Sequence, residues 1–367
     1  MERVEAVVVG AGQAGLAVSR ELLVRGIDHV VLERGRVGET WRSQRWNSFV
    51  LNTPMWMNLL PGSSVTDSEP TRFPTGQEFV EGLERYVRSH DLPVREGVEV
   101  VAVEPAGRPY VVKTSAGSYR SRSVVVAAGI QRTPQIPTLA SGLPISTEQL
   151  HTAHYRSPIA LEPGAVLIVG SGQSGCQIAE ELLESGRRVY LATSRVGRLP
   201  RRYRGRDVLE WRVEMGFYDQ TPDSLDDSEP LRAPLPITTG VRGGHTLSLQ
   251  QFARDGVVLL GRLEGVAGVR LRFADDLAEN VQFGDEFAKK LRRAIDEYVR
   301  RERIDAPPAE DDPVEAPKRR LGANPPRELD LRAAGVAFSE GRRTCDLDWA
   351  RTGLTPRRSM PVTQGRF

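Results

Sequence analysis

The stretch Gly10-Ala11-Gly12-Gln13-Ala14-Gly15 decides the fold of this chain. It follows the apolar run Val7-Val8-Val9, which is typical of a buried strand, and precedes a helical pattern from Leu16 to Arg25. In such a stretch the first glycine makes a tight turn, the second lets the backbone approach a pyrophosphate, and the third lets the helix pack on the strand. The phosphates then lie at the positive N-terminus of the helix. The stretch therefore predicts a βαβ unit that binds a dinucleotide.

The same fingerprint occurs a second time, further along the chain. Gly170-Ser171-Gly172-Gln173-Ser174-Gly175 follows the apolar run Val166-Leu167-Ile168-Val169 and opens another helical pattern. Gly170 lies 160 residues after Gly10, the offset that also separates Gly186 from Gly26. Two such sites in one chain indicate two dinucleotides held side by side, and hence electron transfer between cofactors.

Length and composition set the broad class of the protein. The 367 residues suffice for roughly two domains of about 150 residues, and 39% hydrophobic with 27% charged residues is typical of soluble globular proteins. The net charge of +2 argues against a nucleic-acid partner. No apolar run reaches the roughly 18 residues of a membrane span, and the first strand begins too near Met1 for a signal peptide. We therefore expect a cytoplasmic protein.

Cysteine and turn patterns refine this expectation. The two cysteines, Cys176 and Cys345, form neither a disulfide framework nor a metal-ligand spacing, so no metal site is expected. Thr75-Gly76-Gln77-Glu78 is a capping-box pattern and predicts a helix start. The acidic, proline-rich stretch 219–240 is interpreted as an exposed loop.

The end of the second strand distinguishes the two units. Glu33 lies 18 residues after Gly15, where a carboxylate accepts hydrogen bonds from a ribose hydroxyl of FAD or NAD; the alternative is a solvated strand-end glutamate. The second unit has Thr193-Ser194-Arg195 at that point. Arg195 suits a ribose 2′-phosphate, with about a ten- to hundredfold preference for NADPH over NADH. The arginines that follow, from Arg198 to Arg204, are interpreted as solvated surface.

Taken together, these residues resemble the flavin-containing monooxygenases, the class B flavoprotein monooxygenases, and are closest to their bacterial and YUCCA-like branch. Between the two glycine stretches the resemblance continues through shorter motifs. These are Gly38-Glu39-Thr40-Trp41, Phe73-Pro74-Thr75 and Ala127-Ala128-Gly129 with Pro134 and Pro137 after it.

The resemblance implies an α/β fold with two Rossmann-like dinucleotide-binding domains of the glutathione-reductase-like kind, the NADPH domain being inserted in the FAD domain. It divides the chain into an FAD-binding domain at 1–160, an NADPH-binding domain at 161–325, and an atypical, partial return to the FAD domain at 326–367.

The resemblance also implies an activity. In the family, NADPH reduces FAD, and O₂ then forms a flavin C4a-hydroperoxide that transfers one oxygen atom to a small organic substrate. Asn52 lies in Trp46-Asn47-Ser48-Phe49-Val50-Leu51-Asn52, which is similar to the family stretch that brings an asparagine to the flavin ring. The alternative for Asn52 is a turn-forming role before Thr53-Pro54. The residues predicted to bind the cofactors are Gly10, Gly12, Gln13, Gly15, Glu33, Arg34, Trp41, Gly129, Gly170, Gly172, Gln173, Ser174, Gly175, Ser194 and Arg195.

Other functions stay open at this point. A flavin disulfide reductase needs a redox-active cysteine pair, and the spacing of Cys176 and Cys345 argues against it. An NADPH oxidase that releases peroxide, and a truncated, inactive or regulatory nucleotide-binding homologue, are the remaining alternatives. His151 is interpreted as a structural residue at the domain junction, with proton transfer as its alternative role.

Overall fold

The fold is given by a computed structural model that describes residues 1–63, 69–105, 109–129, 134–221, 235–311 and 325–336. Cys345 and most of the segment 326–367 lie outside the described residues.

The first unit is built on one six-stranded sheet. In chain order its strands are β1 (Glu2–Val9), β2 (His29–Leu32), β3 (Val94–Arg95), β4 (Val100–Pro105), β5 (Tyr110–Thr114) and β6 (Gly117–Val126). In space they follow the order β3-β2-β1-β6-β5-β4. The neighbours β3, β2, β1 and β6 are parallel, whereas β6, β5 and β4 form an antiparallel meander.

Three helices accompany this sheet: α1 (Gln13–Val24), α2 (Glu39–Ser43) and α3 (Gly76–Ser89). The predicted capping box at Thr75 is confirmed, because its hydroxyl accepts from the backbone N–H of Glu78 and the Glu78 carboxylate accepts from the backbone N–H of Thr75. Such a cap stabilises a helix by about 1 kcal/mol. It fixes the start of α3, which packs its buried face on the first unit's core.

The second unit repeats the βαβ arrangement on a smaller sheet. Strands β7 (Val166–Val169), β8 (Val189–Ala192) and β11 (Val258–Leu260) are parallel in the order β11-β8-β7, and α4 (Gln173–Glu184) connects the first two. Between β8 and β11 lies the hairpin β9 (Arg202–Tyr203) and β10 (Arg206–Asp207). Among the described residues, the unit also contains the α-helices α5 (Val208–Glu214), α6 (Leu249–Arg254) and α7 (Leu277–Glu302).

An antiparallel meander completes the second unit. It consists of β12 (Leu263–Ala267), β13 (Arg270–Phe273) and β14 (Glu328–Asp330). Strand β14, which belongs to the segment 326–367 that is predicted to return to the first unit, pairs with β13. Because side chains alternate along a strand, Leu329 and Leu331 both face the core that contains Leu271.

The two units pack against each other. Tyr155, in the connection between them, donates a hydrogen bond of 2.7 Å from its hydroxyl to the carboxylate of Glu181 on α4. The interpretation of 219–240 as an exposed loop is wrong at its end, because Ile237, Thr238 and Thr239 are buried. Gly240 contacts the first unit so closely that an added Cβ would lie 2.0 Å from the carbonyl oxygen of Leu51.

Candidate cofactor site

The first glycine stretch forms a tight turn between β1 and α1. Gly10 has φ +106°, a value that favours glycine, and its N–H donates to the carbonyl of Leu32 at 2.8 Å. A Cβ on Gly15 would lie 1.9 Å from the carbonyl oxygen of Gly10. The first glycine is thus required by conformation, and the third by the close approach of α1 to the turn.

Gly12 differs from both, because a Cβ there would meet no protein atom within 4 Å. It is the N-cap of α1, with extended backbone (φ −86°, ψ −174°), and no side chain caps the helix. The first N–H groups of a helix have no intrahelical partner and carry partial positive charge. The structure therefore leaves an uncapped helix N-terminus beside open space, as a bound pyrophosphate requires.

Glu33 and the end of β6 border this turn. The carboxylate of Glu33 accepts from the backbone N–H of Ala11 at 2.8 Å and from that of Gly35 at 2.9 Å. Because a carboxylate has about four lone-pair positions, both oxygens keep capacity for a ribose hydroxyl. On the other side, a Cβ on Gly10 would lie 2.5 Å from the carbonyl oxygen of Ala127. Gly129, with φ +74°, follows β6 here.

The second glycine stretch reproduces this geometry. Gly170 has φ +108° and donates to the carbonyl of Ala192 at 2.9 Å. A Cβ on Gly175 would lie 2.0 Å from the carbonyl oxygen of Gly170, and one on Gly172 would meet nothing within 4 Å. Gly172 is the N-cap of α4, again with no side-chain cap. Gln173 and Ser174 are the first two residues of that helix.

The end of β8 carries the other residues predicted for the second site. The backbone N–H of Ser194 donates to the hydroxyl of Ser171 at 3.0 Å, which ties the strand end to the glycine turn. Arg195 is exposed and lies 3.3 Å from the carboxylate of Glu279 on α7. A surface ion pair of this kind stabilises by 0–1 kcal/mol at most, so a bound phosphate competes with Glu279 at little cost.

Two of the arginines after Arg195 are not part of the solvated patch predicted for all of them, whereas Arg202 is exposed. Arg198 and Arg201 are buried, and their guanidinium groups contact the carboxylates of Asp285 and Asp207, both at 2.9 Å or less. Burial lowers the pKa of Arg201, and the Asp207 carboxylate opposes that shift. Buried arginines stay charged only when they are paired with a carboxylate. The partner of Arg198 is 87 residues away in the sequence, and that of Arg201 is 6 residues away.

Asn52 lies where the two units meet, and two residues of the second unit hold it. Its side-chain oxygen accepts from the Gln177 amide at 3.0 Å, and its backbone carbonyl accepts from the Arg201 guanidinium at 3.0 Å. Sequence reasoning missed Gln177 and Arg201. A signal was present for Gln177, which lies one helical turn after Gln173 on the helix that the second glycine stretch opens.

Two other residues predicted to bind the cofactors, Trp41 and Arg34, differ from each other in burial. Trp41, on α2, is partly buried and packs edge-on against Phe79 with ring centroids 4.9 Å apart. Arg34 follows Glu33 and is exposed. The structure thus places Glu33 at the first glycine turn, Ser194 at the second and Asn52 against α4, whereas Trp41 packs against Phe79.

The surroundings of Cys176 and His151 determine the protonation behaviour of these two side chains. Cys176 is fully buried, and burial raises the pKa of its thiol to about 12, so it is neutral at physiological pH. The ring nitrogen Nδ1 of His151 accepts from the backbone N–H of Ala153 at 3.1 Å. Burial lowers the pKa of His151, and nearby His154 adds to that shift.

Two further features are absent from the described residues. None of their helices is both long and apolar enough to span a bilayer. They also hold no group of three or more histidine, cysteine, aspartate or glutamate side chains suited to a metal ion.

Comparison with known proteins agrees with this geometry. The model of the pyridine nucleotide-disulphide oxidoreductase family matches residues 7–207, more than half of the chain. An uncharacterized CzcO-like oxidoreductase of Geobacillus kaustophilus is 36% identical over 76% of this chain and 78% of its own length. The indole-3-pyruvate monooxygenase YUCCA1 of Oryza sativa is 31% identical over 80% of this chain and 75% of its own length.

Among solved structures, a flavin-containing monooxygenase from Stenotrophomonas maltophilia is similar in fold. The TM-score is 0.54 at 22% identity, over 75% of this chain and 74% of that one. The predicted α/β fold class is confirmed.

Proposed function

This chain belongs to the pyridine nucleotide-disulphide oxidoreductase family, together with relatives of the YUCCA type, and on that premise we propose that it is an FAD- and NADPH-dependent monooxygenase. It is an oxidoreductase whose resemblance to flavin monooxygenases, first drawn from its motifs, is confirmed by the relatives. The proposal adds the assignment of one cofactor to each glycine stretch and the transfer of one atom of O₂ to a small organic substrate. The observation that carries it is the pair of matching uncapped helix N-termini in one chain.

The residues present fit the two cofactors. Gly12 and Gly172 each border space that a Cβ would occupy without touching protein, beside helix N–H groups that favour phosphate. Glu33 next to the first turn suits the ribose of FAD, and would repel a 2′-phosphate. Arg195 beyond the second turn suits the 2′-phosphate of NADPH. The assignment of FAD to the first turn and NADPH to the second therefore follows the sign of the charge at each strand end.

When bound, FAD supplies the redox chemistry by which NADPH and O₂ are used. The chain's own contribution is to bind, orient and shield. The helix N-termini of α1 and α4 stabilise the two pyrophosphates, and Asn52 donates or accepts a hydrogen bond with its neutral amide. Binding, orienting and shielding the cofactors need no acid–base pair. The thiol of Cys176 is buried and neutral, which agrees with this role.

The same thiol separates this proposal from disulfide reduction, the reaction in the family's name. A disulfide reductase needs a reactive thiolate with a second cysteine nearby. Cys176 is buried and neutral, and it donates from its Sγ to the carbonyl of Ser171 at 3.3 Å, within the turn. The observation favours oxygen transfer over disulfide chemistry.

The test is the absorbance spectrum of the purified protein supplied with FAD, before and after anaerobic NADPH and again after O₂ is admitted. We expect bound flavin bands that NADPH bleaches and O₂ restores. Colourless protein that binds nucleotide without turnover contradicts the proposal and supports a regulatory role.

A second measurement separates oxygenase from oxidase. With ¹⁸O₂ and a panel of amines, sulfides and 2-oxo acids, a monooxygenase incorporates one labelled atom into product. An NADPH oxidase instead releases one peroxide for each NADPH consumed whatever is added, and that result would replace the monooxygenase assignment.

A further inference from the structure

The second unit holds Asn52 from two sides, although Asn52 belongs to the first. Gln177 on α4 donates from its side-chain amide to Oδ1 of Asn52 at 3.0 Å. Arg201 donates from Nη1 to the backbone oxygen of Asn52, also at 3.0 Å. One contact fixes the side chain and the other fixes the main chain.

The contact from Gln177 also sets the orientation of the Asn52 amide. An asparagine amide has one accepting oxygen and one donating NH₂ group, which lie in the same plane on one carbon. Because the oxygen accepts from Gln177 on α4, the NH₂ group remains the donor that Asn52 can offer to another acceptor. Gln177 is buried, at 5% exposure, so water does not replace this contact easily.

Arg201 is held rigidly enough to serve as an anchor. It is 1% exposed, it pairs with Asp207 through two nitrogens, and its guanidinium lies 4.5 Å from the ring centre of Phe73. A paired guanidinium stacked on an aromatic ring loses little freedom on forming a further hydrogen bond.

The anchor is itself connected to the second glycine turn. Nη1 of Arg201 donates to the hydroxyl of Thr238 at 3.0 Å. The backbone N–H of Thr238 donates to the side-chain oxygen of Gln173 at 3.0 Å, and the Gln173 amide donates back to the Thr238 carbonyl. A continuous set of hydrogen bonds therefore joins the start of α4 to Asn52.

Main-chain packing restricts the position of Asn52 independently of these hydrogen bonds. A Cβ on Gly240 would lie 2.0 Å from the carbonyl oxygen of Leu51, the residue before Asn52. The main chain at Gly240 thus lies too close to that of Leu51 for any side chain at position 240, and this contact restricts the movement of Leu51 and Asn52.

We propose that Gln177 and Arg201 are positioning residues, through which the nucleotide unit of NADPH holds Asn52 and presents its NH₂ group to the flavin. This inference rests on the proposed function, since the flavin is what gives the orientation of Asn52 a consequence. Neither residue touches the cofactor in this scheme; both act through Asn52.

The experiment compares Gln177→Met, Asn52→Ala and the double variant with the wild type. Methionine keeps the length of Gln177 without its donor. In protein without cofactors, Gln177→Met should speed hydrogen–deuterium exchange of residues 51–55 about tenfold, the value of one lost hydrogen bond. With FAD bound, it should shift the visible flavin spectrum and raise the peroxide released per NADPH at least about twofold.

If Gln177 acts through Asn52, Gln177→Met adds nothing to Asn52→Ala in the double variant, because the two residues then share one interaction. The matched control is Gln251→Met on α6, an exposed glutamine that bonds with Asp255; it should leave exchange and spectrum unchanged. Full additivity of the two variants overturns the inference.

The measurements distinguish failure of this inference from failure of the proposed function. Faster exchange in Gln177→Met with an unchanged flavin spectrum and peroxide yield shows a contact that is merely structural, and overturns the inference while the proposed function stands. Wild-type protein that takes up no flavin contradicts the proposed function and the inference with it, even if the exchange data show that α4 holds Asn52.

Discussion

The two glycine turns of this chain are nearly superimposable in their local geometry, yet they differ in what surrounds them. Gly10 and Gly170 have φ of +106° and +108°, and a Cβ on Gly15 or Gly175 would lie 1.9 or 2.0 Å from the first glycine of its own turn. The geometry of the turn is thus fixed by local covalent and steric demands. In the proposed assignment, the charges that lie around each turn determine which cofactor it binds.

The surroundings of the first glycine are the clearest difference. A Cβ on Gly10 would meet the carbonyl of Ala127 at the end of β6, whereas one on Gly170 would meet nothing within 4 Å. β1 has paired strands on both sides, β2 and β6. β7 pairs with β8 on one side, and on the other the described residues provide the single bridge from Ala165 to Val336. The first turn is therefore the more enclosed of the two.

The largest effects should come from the third glycines. Gly15→Ala and Gly175→Ala each place a methyl group against a backbone carbonyl that has nowhere to move, and we expect each to lower the free energy of unfolding by about 3 kcal/mol or more. Urea unfolding measures this. Gly82→Ala is the matched control, because its Cβ would meet only the far end of Arg85, at 3.8 Å; it should be neutral or slightly stabilising. Equal stability of all three variants would contradict the packing role.

The second glycines should separate the cofactors without disturbing the fold. The Cβ of Gly12→Val or of Gly172→Val meets no protein atom within 4 Å, and the backbone at both positions is extended, so each variant should lose about 1 kcal/mol of stability as a poorer N-cap. Each should weaken one cofactor by about a hundredfold or more, FAD for Gly12→Val and NADPH for Gly172→Val. Flavin retention and nucleotide titration measure the two losses. Undiminished flavin in Gly12→Val would contradict the assignment of the first turn.

Arg195→Ala tests the charge at the second strand end. Loss of charge-assisted hydrogen bonds to a 2′-phosphate should weaken NADPH by about ten- to hundredfold and leave NADH almost unchanged. Glu279→Gln is the counterpart, because it frees Arg195 from its ion pair and should tighten NADPH by about twofold or threefold. The dissociation constants of NADPH and NADH, determined for each variant, measure these changes. An equal loss for NADPH and NADH in Arg195→Ala would mean that Arg195 does not contact the phosphate.

A smaller difference is expected between the first glycines. Gly10→Ala and Gly170→Ala share the strain of a positive φ, about 1–3 kcal/mol, but only Gly10→Ala also meets a carbonyl, 2.5 Å away. The free energy of unfolding should therefore fall by roughly 1–2 kcal/mol more for Gly10→Ala. Matching losses would indicate that the two turns are equally open.

The smallest effect concerns Cys176, which occupies the position of Leu16 in the repeat. Both side chains are fully buried, and burial raises the pKa of the thiol to about 12, so the thiol is protonated at pH 8. Alkylation by iodoacetamide at pH 8 should be at least about a hundredfold slower in folded protein than in urea. Mass spectrometry of the peptide that contains Cys176 measures it. Rapid labelling of the folded protein would reopen thiol chemistry.

Short-range patterns were enough to predict much of the first and second units. The glycine spacing, the capping box at Thr75 and strand β2 at His29–Leu32 depend on residues close together in the sequence, and each is found as predicted. The resemblance to flavin monooxygenases depends on the same short motifs. The burial of Arg201 could not be predicted in this way, because its hydrogen-bond partners include Asn52 and Thr238, distant in the sequence.

By itself, then, the sequence determined the two βαβ units, their turns and the charge at each strand end, because steric and helix-terminal effects act over a few residues. Tertiary structure alone decided that Ile237–Gly240 is buried with Gly240 against Leu51, that β14 joins the second meander, and that Gln177 and Arg201 hold Asn52. These depend on surfaces that meet only after both units have folded. A residue's partner across such a surface leaves no local pattern in the chain.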